Sequence, residues 1–228
     1  MSLRETLAGG WAGLRRHLRG AASTSTRWIV LDVESTGLDP ARDRLLAIAA
    51  LAVHVSAASD ERPRIELADS FDAVLHHEIA GAVPADKANI LVHGIGVGAM
   101  RAGQVPARVL RAFAEWAGAA PRLGFNVAFD RTMIERAERE HLGRCTPAQW
   151  LDIEALAAVA HPEVKARALD EWLARFAIPC ARRHQAIADA LATAELLLRL
   201  WPRLQREAGG EALNPAFLAR LAAARRWV

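Results

Sequence analysis

The order of its apolar segments constrains this chain most. Residues 28–31 (Trp28-Ile29-Val30-Leu31) form a short apolar run typical of a buried strand. Residues 45–55 and 65–75 follow as two further strand-like segments, with the polar turn 56–63 between them. Beyond them, consecutive strands give way to alternation. Residues 106–116 have helical periodicity, 122–125 form a short strand, and 128–141 form a helix whose charged residues are expected on its outer face. Residues 149–153 supply one more strand before a helical C-terminal part. There, 169–176 is a helix closed by Ile178-Pro179, and 185–200 is a long apolar helix closed by Pro202. Asn214-Pro215 supplies an N-cap followed by proline at the first helical position, so a last helix is predicted over 215–226. Three successive strands followed by strand and helix alternation predict an α/β fold with one mixed sheet flanked by helices.

A chain of 228 residues, 52% of them hydrophobic, can bury the core that such a sheet needs, and it predicts one compact domain with terminal extension. The longest apolar run, 45–53, is too short to cross a hydrocarbon layer that needs about 20 residues, so no membrane span is expected. Basic residues interrupt the N-terminal segment and leave no apolar stretch for a secretory signal, which predicts a cytoplasmic protein. Leu3, Leu7, Trp11, Leu14 and Leu18 have the spacing of an amphipathic helix over 3–19, and 21–26 reads as a linker. Cys145 and Cys180 have neither CxxC spacing nor the number for a disulfide framework or zinc site; reduced, partly buried thiols are expected. The net charge of +3 and the isoelectric point near 9.5 rest on arginine, since Lys87 and Lys165 are the only lysines. Arginine suits phosphate, but an arginine-biased genome would give the same composition.

Four acids stand where acids are costly. Asp32 and Glu34 end the first strand, and residues two apart on an extended chain face the same side, although an exposed strand end would explain the pair as well as a metal would. Asp130 follows a short strand near the start of a helix, where satisfying the helix N-terminus would equally explain it. Asp189 is flanked by Ile187, Ala188, Ala190 and Leu191, so its charge needs a partner or a metal. A cleft gathering these carboxylates would hold divalent cations through oxygen, since uncompensated they would repel one another and be partly protonated. Two such ions could divide the work of hydrolysis, one activating water and one stabilising the leaving oxygen, with Asp32 as bridging ligand.

The ordered set Asp32-x-Glu34, Asn126 with Asp130, and His184 with Asp189 resembles the DEDD exonuclease superfamily in its histidine branch. Val92-His93-Gly94-Ile95 is similar to that family's HGI element, and the resemblance runs from about Trp28 to Leu200. It implies a ribonuclease-H-like mixed five-stranded sheet flanked by helices, and a 3′-5′ exonuclease acting on single-stranded nucleic-acid 3′ ends. Two Mg2+ or Mn2+ ions held by Asp32, Glu34, Asp130 and Asp189 are implied, with His184 as general base, a role open to an imidazole nitrogen as proton acceptor. The sister branch uses tyrosine in that role, and this chain has none. Ser35, Thr36, Leu38, His93, Asn126 and Phe129 are implied to contact substrate, although core packing would explain Phe129 and a turn would explain His93. Phe125 stands where proofreading relatives usually carry histidine, and a phenyl ring can stack on a base but cannot donate a hydrogen bond.

The implied organisation is an N-terminal extension over 1–26, an exonuclease domain over 27–202 and a C-terminal helical extension over 203–228. A polymerase or a second copy of the chain are further partners compatible with the resemblance. DNA is the expected substrate, in proofreading or repair, and an exoribonuclease acting on RNA 3′ ends or short oligonucleotides is the alternative. A non-catalytic nucleic-acid-binding module is the reading of another class, and the presence of all five expected catalytic residues weighs against it.

Overall fold

The computed structural model describes residues 25–56, 61–78 and 94–224. The helix and most of the linker expected over 1–26, together with Val92 and His93, lie outside them. Strands β1 (Ser25–Ser35), β2 (Leu45–Ser56) and β3 (Arg64–Val74) come first. Helices α1 (Val97–Ala102) and α2 (Pro106–Ala117) follow, then β4 (Arg122–Gly124), α3 (Ala128–Leu142), β5 (Trp150–Asp152) and α4 (Ile153–Ala160). Helices α5 (Leu169–Arg175), α6 (Ala186–Glu207) and α7 (Pro215–Ala224) end the described chain.

The five strands form one sheet in the order β3-β2-β1-β4-β5. β1 pairs antiparallel with β2, and β2 with β3; β4 runs parallel to β1, and β5 to β4. The mixed sheet predicted from the segment order is therefore the observed one. The first strand is longer than its apolar run, because Ser25 and Thr26, expected in a linker, pair with Ser56 and Val55.

Alternation along β1 divides the core. Trp28 and Val30 point to one face, where Leu156, Trp172, Leu196, Leu200 and Leu218 of the later helices cover them. Ile29, Leu31 and Val33 point to the other, against Leu110 and Phe113 of α2 and Met133 and Ile134 of α3. Trp28 meets Trp201 edge to face, with ring centroids 5.6 Å apart. Leu218 of α7 is fully buried in the first of these layers, so the last helix shares the main core.

Two expectations are corrected. Pro202 does not close its helix: α6 continues to Glu207 with Pro202 inside it. Leu197, Leu200, Trp201 and Leu204 are all buried, and this apolar stripe holds the helix through the interruption, although proline removes one N–H donor. The charged residues of α3 are not all on an outer face, since Glu138 is fully buried. Its Oε2 accepts the Thr146 N–H at 2.7 Å, and its charge supports the buried guanidinium of Arg122, which lies over the Phe113 and Trp150 rings.

Candidate active site

Period-two alternation that puts Trp28 and Val30 on the α6 side of the sheet carries on to Asp32 and Glu34. These acids reach that face where α6 begins, and Asp189 lies in its first turn, where unpaired helix N–H groups favour negative charge. Asp32, Glu34 and Asp189 each offer a carboxylate oxygen, and the three oxygens lie within 4.8 Å of one another. Among the described residues this is the only such group of three or more potential ligands. The parallel strands β1, β4 and β5 all end at the same edge of the sheet. That shared polarity brings the β4–α3 turn, and with it Asp130, to the end of β1.

Asp130 is buried, and its carboxylate accepts hydrogen bonds from its own amide and that of Val33. It stands outside the tight group of three but within the electrostatic reach of Asp32 and Glu34. Val127 at the N-cap of this helix makes no side-chain cap, and Asp130 lies in its first turn, so the carboxylate also serves the helix N-terminus.

The acids perturb one another strongly. Burial, then the carboxylates of Asp130, Glu34 and Asp189, push the Asp32 carboxyl well above the usual range, while Arg183 opposes them. Burial and then Asp189 raise Glu34 to about 7, against Arg183 and a hydrogen bond from the Ala186 amide. Burial raises Asp130 to about 8, with Asp152 and Glu34 adding to it and the two backbone amides opposing. One oxygen of Glu34, Oε1, is buried without a hydrogen-bond partner. Hard oxygen donors that repel one another, one of them unsatisfied, fit a divalent cation.

Asp189 Oδ2 accepts the N–H of His184 at 2.8 Å, and its Oδ1 accepts from the guanidinium of Arg183, which also donates to Asp170. The Cys180 thiol lies 3.4 Å from the same Oδ1. Both cysteines are free and half-buried. His184 is exposed and has a φ of 60°, a left-handed backbone in the turn that opens α6. Arg183 and Asp170 were not singled out from the sequence. No pattern separates Arg183 from Arg182, and only the fold brings Asp170 of α5 to it. Asp152 was missed as well, although an acid closing an apolar strand is the signal that marked Asp32.

The residues expected to touch substrate are distributed as follows. Thr36 and Ser35 belong to a tightly bonded loop: Thr36 Oγ1 donates to Asp43 at 2.8 Å and accepts from the Arg44 N–H at 2.9 Å, while Ser35 Oγ donates to the Gly37 carbonyl at 2.6 Å. Leu38 stands at the tip of this loop with 90% of its surface exposed. Asn126 is exposed, with a φ of 55°. Phe129 is half-buried and packs on the core layer beneath α2 and α3, and Phe125 packs on the opposite layer.

A five-stranded mixed sheet with an acidic cleft at the carboxyl end of its parallel strands defines the ribonuclease-H-like class. Within that class the chain belongs to the exonuclease family (RNase T type), whose model matches residues 29–197. It is similar to the DNA polymerase III subunit epsilon-like protein of Rhodobacter capsulatus, 30% identical over 181 residues that cover 78% of this chain and 24% of the relative. The PolC-type DNA polymerase III of Latilactobacillus sakei is 28% identical over 188 residues, 81% of this chain and 12% of that one. The chain thus spans about a quarter or less of these relatives. Among solved structures, E. coli exonuclease I in complex with a dT13 oligonucleotide has the same fold, with a TM-score of 0.63 at 19% identity over 80% of this chain and 43% of that one. Among the described residues, no helix is long and apolar enough to cross a membrane.

Proposed function

We propose that this protein is a metal-dependent 3′-5′ exonuclease of the histidine branch, releasing nucleoside monophosphates from single-stranded DNA ends. The observation that carries the reading is the approach of Asp32, Glu34 and Asp189 to within 4.8 Å, beside a buried Asp130. DNA is preferred over RNA because the relatives are named for DNA polymerase III and the solved neighbour holds a deoxyoligonucleotide. Association with a polymerase belongs to the same proposal and rests on those names alone.

Asp32, Glu34, Asp130 and Asp189 would hold two Mg2+ or Mn2+ ions. Such ions supply Lewis-acid stabilisation of charge on the scissile phosphate and lower the pKa of bound water. The chain's own residues do the rest. His184, exposed beside the cleft, accepts the proton of the attacking water on an imidazole nitrogen. Leu38, at the tip of a loop braced by Asp43, presents an apolar side chain against which the terminal base stacks. Asn126 and Phe129, beside Asp130 in sequence, line the terminal nucleotide, with His93 of the HGI element as a further contact.

The test is hydrolysis of matched single-stranded DNA and RNA oligonucleotides, labelled at the 5′ end, with Mn2+. Stepwise shortening of the DNA from its 3′ end is expected, and Asp32→Asn should slow it at least about a hundredfold, since the lost ligand forfeits several kcal/mol of charge stabilisation. An Asp32→Asn rate equal to the wild type would overturn the site, and turnover of RNA alone would overturn the substrate.

A further inference from the structure

Asp152 closes β5 and caps α4. Its Oδ1 accepts the Glu154 N–H at 3.0 Å, the ordinary duty of an N-cap. The same oxygen accepts the Asn126 N–H at 3.1 Å, from a segment 26 residues earlier in the chain. Burial raises the pKa of this carboxyl, while the nearby amides of Val127 and Ala155 also favour its charged form. One carboxylate oxygen thus ties the start of α4 to the turn between β4 and α3, with a bonded N–H from each.

That turn needs holding. Asn126 occupies the left-handed region with a φ of 55°, and Val127, the N-cap of α3, has no side chain able to cap. The turn is also packed closely against the end of β1: a Cβ on Gly124 would lie 3.0 Å from Val127 Cγ2 and 3.2 Å from the Leu31 carbonyl oxygen. Asp130 is the third residue of α3, so the place of its carboxylate follows from where the helix starts. Gly124 pairs with Asp152 in the β4–β5 ladder, which fixes the distance across which the clamp acts.

We infer that Asp152 is a positioning residue for the acidic cleft: by holding the Asn126 amide it fixes the turn that starts α3, and so the place of Asp130 beside Asp32 and Glu34. The link to metal and substrate rests on the exonuclease reading above, whereas the clamp itself does not.

Two variants of the full chain separate this role from simple capping. Serine caps a helix as well as aspartate does, but its shorter side chain cannot span from α4 to the Asn126 amide; asparagine keeps the Oδ1 acceptor at full reach. Asp152→Asn should therefore bind Mn2+ within a few-fold of the wild type by electron paramagnetic resonance, whereas Asp152→Ser should bind it at least about tenfold more weakly, as loss of an orienting partner does. Amide exchange over 126–130 should accelerate in Asp152→Ser alone, with 154–157 equally protected in both. Wild-type Mn2+ affinity together with wild-type exchange over 126–130 in Asp152→Ser would overturn the inference. Should the wild-type protein bind no Mn2+, the exonuclease reading fails, and the exchange comparison still decides the clamp: faster exchange over 126–130 in the serine variant supports it, and equal exchange overturns it.

Discussion

At the scale of single residues, the groups that matter are the ones whose surroundings disagree with their chemistry. His184 is exposed and held in a left-handed turn whose N–H is fastened to Asp189. If it is the general base, His184→Ala should lower kcat by about 10²- to 10⁴-fold, the usual worth of such a base, and leave Mn2+ affinity unchanged. A matching loss of Mn2+ binding would assign it to the metal instead. Gly37 makes a second case. A Cβ there would lie 2.5 Å from Asp43 Oδ2, and Asp43 is not free to swing away, because Thr36 Oγ1 and the Asp39 N–H both bond it at 2.8 Å. Gly37→Ala should loosen the loop that carries Leu38, raising KM for oligonucleotides by about tenfold, or about 1.4 kcal/mol, with kcat little changed. Steady-state kinetics on a short single strand checks this; a fall in kcat at constant KM would contradict it.

Elements obey their apolar stripes before their local propensities. α6 is the clearest instance, since Pro202 lacks the N–H that the Leu198 carbonyl would otherwise accept, yet the helix runs on for another turn. Packing of Leu197, Leu200, Trp201 and Leu204 outweighs that loss. Pro202→Ala should therefore stabilise the protein by about 1–3 kcal/mol, read as a higher urea midpoint at unchanged m-value. A lower midpoint would show that the proline ring itself packs productively. The existence of β1, β2 and β3 was legible from their apolar runs, but the start of β1 was not, because Ser25 and Thr26 are polar and are strand only through pairing with Ser56 and Val55. The end of α6 was not, because a proline reads as a stop unless the burial beyond it is known.

For the whole molecule, the cleft couples stability to pH and to metal. Glu34 at about 7 and Asp130 at about 8 both lie above their ordinary values of 4.5 and 3.8, so between those limits the folded chain holds more protons than the unfolded one. Without metal, stability should therefore fall as pH rises from about 4 to 8, the slope having the sign of the protons bound by the unfolded state minus those bound by the folded state. A divalent cation reverses the trend by replacing those protons. At a hundredfold excess over Kd, Mn2+ should raise the Tm by about 5–10 °C at pH 8 and by clearly less at pH 6, where bound protons compete with it. Thermal melts at the two pH values check this, and equal shifts at both would contradict it.

By itself the sequence determined much of the local pattern: most of the strand and helix segments, that Asp32 and Glu34 share one side of β1, and that Asp32, Glu34 and Asp189 sit among apolar neighbours where a charge is costly. Those features follow from periods of 2.0 and 3.6 residues, which a linear chain displays openly. Only the tertiary structure decided that α6 delivers Asp189 to the face carrying Asp32 and Glu34, that Arg183 of the same turn bridges it to Asp170, and that Asp152 clamps the turn leading to Asp130. It also decided that Glu138 and Arg122 are buried. Such contacts join residues far apart in the chain. They depend on how helices lie across the sheet, and no local periodicity records that.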